Sequence, residues 1–183
     1  MALKTIVDIK QIFYANPIAS ITSATAGLSG VEVYALIHHA NTKEVENVHA
    51  TTWQYNEDEP STTNYVNQLN GKTYYIDTTP GATNVGFSIG QYDYQAKAEL
   101  QGGKATATSW ERPESQGLIY KSIVAVTKDN THLVFPKAQI TARGGMIEDK
   151  AIGLLLTATP IDTGIAGLAS EKWFDASEIV SGE

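Results

Sequence analysis

GLIYKSIVAVTKDNTHLVFPKAQITARGGMIEDKAIGLLLTATP, from Gly117 to Pro160, is the stretch that decides the fold. Leu118 to Thr127 places apolar residues on both faces of an extended chain, as a strand covered on two sides would. Lys128-Asp129-Asn130-Thr131 is a tight-turn signal. His132 to Ala142 continues as a second strand through Val134, Phe135 and Ile140, Arg143-Gly144-Gly145 reads as the next turn, and Ile152 to Thr159 forms a third strand that ends at Pro160. Such a meander is a rigid frame without a chemically aggressive side chain, which points to a structural or binding role.

The rest of the chain agrees with a mainly β protein. Its 183 residues suit one domain, 1–183, able to bury roughly 70% of the surface its unfolded form exposes. Thr, Ser, Gly, Tyr and Val are plentiful and charge is sparse. The absence of Cys excludes disulfides, thiolate nucleophiles and Cys-based zinc sites. Asp8 and Lys10 interrupt the start before a signal-peptide core can develop, and no stretch reaches the roughly 20 apolar residues a membrane helix needs. Thirteen basic against 20 acidic residues give a net charge of −7, the opposite of the basic footprint of a nucleic-acid reader.

Outward from the meander, Thr5 to Ala15 reads as an extended entry, Ile18 to Gly30 as a Ser/Thr/Ala/Gly loop, Val31 to His39 as a strand, and Lys43 to Tyr55 as another. Thr62 to Leu69 is predicted to be a short helix before the turn dipeptide Asn70-Gly71, followed by a strand from Lys72 to Asp77 that places Tyr74 and Tyr75 on opposite faces. Thr79-Pro80-Gly81 turns the chain into the alternating run Asn84 to Ile89. One helix is expected, about 92–101, with Tyr92, Ala96 and Leu100 as its apolar stripe, Asp93 at its start and Gly102-Gly103 as its stop. Lys104 to Gln116 reads as a loop or short strand around Trp110, and the segment of about 161–183 as a C-terminal extension anchored by Trp173-Phe174.

Little in the sequence suggests chemistry. His38 and His39, adjacent on the predicted strand, point to opposite faces, and His49 and His132 lie far away. Glu57-Asp58-Glu59 lacks the glycine turn and staggered oxygens of a calcium loop. No nucleophile elbow or phosphate-binding loop occurs. No catalytic residue, cofactor site or metal site is expected, and the protein is not expected to be an enzyme.

Three segments carry a family resemblance. They are Glu44 to Tyr55; Gly86-Phe87-Ser88-Ile89-Gly90-Gln91-Tyr92-Asp93-Tyr94 running into the helix; and Leu133-Val134-Phe135-Pro136-Lys137-Ala138-Gln139-Ile140-Thr141-Ala142 with Leu154 to Pro160. Together, over roughly Val31 to Pro160, they make the chain look like the tail-tube (major tail) proteins of long-tailed bacteriophages, which are related to the tube subunits of contractile injection systems. The resemblance implies a twisted antiparallel β-barrel or sandwich with one flanking helix and an extended loop or hairpin, here about 53–77. It also implies hexameric rings stacked into a tube that delivers DNA to the host. Implied partners are further copies of the chain, tape-measure, tail-terminator and possibly sheath proteins, and transient non-specific DNA in the lumen, with no membrane. The implied location is the virion, assembled in the host bacterial cytoplasm. An acidic wall would let DNA slide, and Glu32, Glu57, Asp58 and Glu59 are the lumen candidates. Trp53, Tyr55, Tyr65, Tyr74, Tyr75 and Trp173 are the candidates for contacts between subunits or rings. The alternatives are a tube subunit of a contractile injection system and a monomeric carbohydrate-binding β-sandwich.

Overall fold

A computed structural model describes residues 6–147 and 151–182; the first residue of the expected extended entry, Thr5, and the last of the expected C-terminal extension, Glu183, lie outside the described residues. The meander is present as β9 (Ile119–Thr127), β10 (His132–Met146) and β11 (Ile152–Pro160). It is the centre of an antiparallel sheet that also contains β1 (Ile9–Ala15), β2 (Lys43–Glu44), β3 (Gln54–Glu57), β6 (Thr83–Ile89) and β12 (Lys172–Phe174). The order is β2-β1-β9-β10-β11-β6-β3, with β12 beside β10. β4 (Ser61–Val66) and β5 (Thr73–Thr79) form a separate hairpin, and β7 (Lys104–Ala105) and β8 (Trp110–Glu111) a minimal one.

The first meander turn is the expected one. Asn130 takes φ 62, Thr127 Oγ1 donates to Asp129, and Thr131 N donates back to Thr127 Oγ1 at 3.1 Å. The second is displaced. Arg143, Gly144 and Gly145 do not turn but continue β10, paired with Leu155, Leu154 and Gly153 of β11. Gly145 serves close packing instead, since a Cβ on it would lie 2.8 Å from Leu155 Cδ1, whereas a Cβ on Gly144 would meet nothing within 4 Å. The chain reverses after Met146, where Ile147 N donates to Ala151 O at 2.9 Å.

Pro136 explains how one long strand serves two sets of neighbours. The β9–β10 register shifts between Phe135 and Ala138, and a proline, with no N–H to give, fits such a bulge. Before it, β10 pairs with β12 through His132 to Val134; after it, β10 pairs with β11 from Ala138 onward.

The sheet carries two cores, one on each face. On the first, Phe87, Ile123, Phe135, Ile140 and Leu154 are buried beneath Leu100 of α2 (Tyr94–Gln101). On the second, Val124 and Val134 are covered by Leu28, Val33 of α1 (Gly30–Ile37), Leu168 and Phe174. The second core covers only the β1–β9–β10 half of the sheet. That is why β9 is buried at every position from Ser122 to Thr127, whereas β11 alternates between buried Leu154, Leu156 and Ala158 and exposed Thr157.

The barrel is not closed by a continuous ladder. The predicted strand from Lys43 to Tyr55 is instead two short strands joined by a crossing segment. Val45 N donates to Ile12 O of β1 at 2.8 Å, and His49 N donates to Ser88 O of β6 at 2.8 Å, so this segment spans the opening between the two ends of the sheet.

Two further expectations are corrected. Val31 to His39 is not a strand; α1 occupies it, and His38 and His39 follow the helix rather than alternating across a strand. Its Val, Tyr and Ile residues favour strands, but Ser29 and Glu32 close a reciprocal capping box and Val33 turns into the second core. Among the described residues there are therefore two α-helices where one was expected. Thr62 to Leu69 is not a helix, because β4 pairs with β5 from Ser61↔Thr79 to Tyr65↔Tyr75. The α2 boundary is close to the expected one: Asp93 caps it, its Oδ1 accepting from Ala96 N at 2.6 Å.

The segment after Pro160 is docked as a strap across the second face. Ile165, Leu168, Phe174 and Ile179 pack there, and Lys172 Nζ donates to Leu28 O at 2.6 Å. No helix among the described residues is long and apolar enough to cross a membrane.

Candidate assembly surfaces

Three surfaces stand out: a projecting arm, an open sheet face, and the two free strand edges that flank that face.

The arm is the β4–β5 hairpin. Every residue of both strands is exposed, and the strands pack on each other rather than on the body. The tip is well specified. Gly71 takes φ 68, Gly71 N donates to Asn67 O, and Lys72 N donates to Asn70 Oδ1. The root is fixed where Asp58 N donates to Ala82 O at 2.9 Å. A Cβ on Gly81 would fall 1.7 Å from Asp58 O, so only glycine fits there.

The composition of the arm is out of keeping with its exposure. Leu69 is 96% exposed, Tyr74 70% and Ile76 58%. Strand alternation puts Tyr74 and Ile76 on one face and Tyr65 and Tyr75 on the other, where their rings are 5.5 Å apart. A two-stranded hairpin alone in water is marginally stable, and large apolar side chains exposed on both of its faces mark an interaction surface.

The expected arm, Trp53 to Asp77, began too early. Trp53 lies against Phe87 of the first core, with ring centroids 6.2 Å apart. Tyr55 belongs to β3, packs edge-on against Trp173 at 5.7 Å, and donates its hydroxyl to Glu171 at 3.0 Å. Trp173 donates its indole N–H to the same carboxylate. Burial pushes the Tyr55 phenol up, and its hydrogen bond to Glu171 helps hold it at about 12. Of the six aromatic candidates, Tyr65, Tyr74 and Tyr75 stand on the arm; Trp53, Tyr55 and Trp173 make contacts within the subunit.

The open face belongs to β3, β6, β11 and the second half of β10. Register aligns three rows across these strands: Asn56, Asn84, Thr159 and Gln139; Gln54, Gly86, Thr157 and Thr141; and Ser88, Leu155 and Arg143, continued by Thr52, whose Oγ1 accepts from Ser88 N at 3.0 Å. Arg143 is the one charged residue in these rows and has no ion-pair partner among the described residues.

At one side of this patch β3 pairs only with β6. At the other, Thr141 to Met146 of β10 pair only with β11, because β9 stops at Ile119 opposite Ile140. Among the described residues both outer edges therefore present unpaired backbone groups, which invite another strand.

The four acidic candidates lie elsewhere. Glu57 alternates onto the same side of β3 as Tyr55, away from the open face, and Asp58 and Glu59 sit in the exposed link to the arm. Glu32 is engaged in starting α1. Its carboxylate accepts from Ser29 N at 2.8 Å, Ser29 Oγ at 2.7 Å, Thr22 N at 2.6 Å and Thr22 Oγ1 at 2.9 Å. Partial burial pushes this carboxyl up, but the Ser29 and Thr22 hydrogen bonds prevail and hold it at about 2. Because the folded pKa lies below the unfolded one, the contribution of Glu32 is fully present above about pH 4.5 and is lost as pH falls towards 2. Replacing Glu32 by Ala is expected to cost about 1 kcal/mol at pH 7, with the difference from wild type shrinking in acid; urea titrations at pH 7 and pH 3 measure it.

The histidines are dispersed, and no group of three or more His, Asp or Glu among the described residues is placed to hold a metal. The signal that sequence reading missed is the pair of free edges, which follows from where each strand stops. No family model and no curated protein matches this chain.

Proposed function

We propose that this chain is a self-assembling structural subunit of a phage tail tube, closing into hexameric rings that stack into a conduit for DNA. The observation that carries the reading is the four-stranded patch with a free edge on each side, together with an apolar arm whose strands are exposed throughout among the described residues. Pairing the β3 edge of one copy with the Thr141–Met146 edge of the next would continue the sheet around a ring. Repeating one head-to-tail contact closes a ring when the rotation permits, and closure removes the exposed edges. The arm would then reach a neighbouring copy or ring. Tape-measure and tail-terminator proteins, with a sheath in a contractile tail, are the partners this role implies, and the virion its location. The role requires no catalysis.

In this arrangement the open face lines the lumen. That revises the acidic wall: the residues offered are hydroxyls and amides, with a single ring of Arg143 side chains. Neutral polar groups bind phosphodiesters weakly, so sliding would rest on a lining that is mostly neutral, with Arg143 as its basic ring, rather than on repulsion. A tube subunit of an injection system would share this geometry and differ in cargo. A monomeric carbohydrate binder gains no support, since Tyr65, Tyr74 and Tyr75 stand on a hairpin rather than facing convergent polar groups.

Electron microscopy of the purified full chain at high concentration tests the proposal. Rings or tubes with a central hole are expected; particles that stay monomeric across a wide concentration range, with and without nucleating tail components, would overturn it.

A further inference from the structure

The β10–β11 hairpin outruns its neighbours. β6 ends at Ile89, opposite Leu154, and β9 reaches only to Ile119, opposite Ile140. Past both points, Met146 and Ile152 stand opposite each other as a cross-strand pair. Alternation puts Ile152 on the face of buried Leu154 and Leu156, and Met146 on the face of buried Ile140 and Ala142. The apolar period of the first core therefore continues beyond its cover, since Met146 is 69% exposed and Ile152 68%. Two half-buried apolar groups border the pair. Ile147 packs over Gly153, where a Cβ would lie 2.9 Å from Ile147 Cγ2, and the Tyr92 hydroxyl donates to Ile152 O at 3.5 Å. A strand face patterned for burial but left open is a place for another molecule.

The chain itself carries a segment with the opposite need. The arm leaves the body from the other end of the same strands: Glu57 pairs with Thr83, and Thr159 Oγ1 donates to Asn84 Oδ1 at 2.7 Å, so the arm root lies beside the Pro160 end of β11. From Pro160 to Ile152 is about 27 Å along the strand. The chain's own arm does not cover the pair, because every residue of β4 and β5 is exposed. One copy set in line with the next brings the arm end of one to the hairpin end of the other, and the arm strands, about 20 Å long, are long enough to lie across it. Charge does not oppose this. In a chain of net charge −7, the segment from Pro60 to Ile76 holds one charged residue, Lys72, and it is positive.

We propose that the overhanging end of the β10–β11 hairpin is the docking surface for the arm of a second copy, with the Tyr74 and Ile76 face of the arm laid over Met146 and Ile152. The contact is head-to-tail, so repeating it builds an open stack rather than a closed pair. It rests on the self-assembly reading, though not on ring closure.

The chain has no cysteine, so engineered thiols report the contact directly. Ile76→Cys and Ile152→Cys, both at exposed positions, are mixed as separate full-length proteins under a mild oxidant, and crosslinked dimer is read on a non-reducing gel. A disulfide needs Cα atoms within about 7 Å, so the mixed pair is expected to crosslink about tenfold faster than either variant alone. Ile152→Cys mixed with Val180→Cys, an exposed position on the strap, is the control for random collision. In sedimentation velocity, Met146→Ser with Ile152→Ser should weaken self-association about 100-fold, with unfolding in urea unchanged. Rings or tubes without preferential crosslinking would overturn the docking surface and leave the self-assembly reading standing. Preferential crosslinking without rings would support the contact and remove ring closure. Neither preferential crosslinking nor association would overturn both.

Discussion

Deleting residues 61–79 and joining Pro60 to Pro80 through a short Gly-Ser link is expected to leave the body folded and to abolish self-association. The body should tolerate the deletion because both arm strands are exposed throughout and neither contributes to the two cores. The ends are already close, with Asp58 N bonded to Ala82 O at 2.9 Å. Association should fail because Leu69, Tyr74 and Ile76 are the most exposed large apolar side chains of the arm. Burying residues of this kind at an interface is worth about 2 kcal/mol each when they act as anchors. The milder Tyr74→Ser, Ile76→Ser double variant should weaken association at least about 100-fold. Circular dichroism checks the fold and sedimentation velocity the assembly. Undiminished tube formation by the deletion variant would remove the arm from the assembly mechanism.

The second large effect concerns the strap. Gly167→Ala is expected to destabilise the body by about 3 kcal/mol. Gly167 takes φ 79, and a Cβ there would lie 1.9 Å from the backbone oxygen of Ala24. Main-chain atoms cannot rotate away, so the strap would have to lift from the loop that precedes α1. Lifting it uncovers Leu168 and Phe174 and opens the second core. Gly164→Ala supplies the control. It shares the left-handed backbone, at φ 73, but a Cβ there meets nothing within 4 Å, and the expected loss is about 1 kcal/mol. Urea unfolding of the two variants measures the difference. Equal losses would show that backbone conformation alone matters and that the close approach to Ala24 does not.

Much of the frame was legible. The both-faces-apolar pattern of β9 and the alternation of β6 and β11 report directly how many sides of each strand are covered. Asp93 and Gly102 bracket α2 because capping is a local property. The α1 segment was misread although its signal was present: Ser29-x-x-Glu32 is a capping box, and the strand preference of the residues after it obscured it. Gly144-Gly145 was misread for a different reason. Glycine suits both a turn and a strand interior, and only the pairing of Gly144 and Gly145 with Leu154 and Gly153 of β11 decides between them.

The candidate surfaces divide in the same way. Strand alternation determined that Tyr74 and Tyr75 part to opposite faces, and Asn70-Gly71 determined a turn, since both depend on neighbouring residues alone; that a strand rather than a helix precedes the turn was decided by its pairing with β5. That Trp53 and Tyr55 turn inward, that Glu32 also holds Thr22, and that the arm begins after Glu57 were decided by residues 10 to more than 100 positions away. The free edges were decided by tertiary structure too, because an edge exists only where a partner strand ends, and β9 ending at Ile119 leaves no mark in the sequence of β10. The sequence by itself determined the strands of the central meander and β6 and how many of their faces are covered, through periodicity, but not α1 or the first strand of the arm. Tertiary structure decided which of those faces and edges stay open to another molecule, because that depends on what the rest of the chain leaves uncovered.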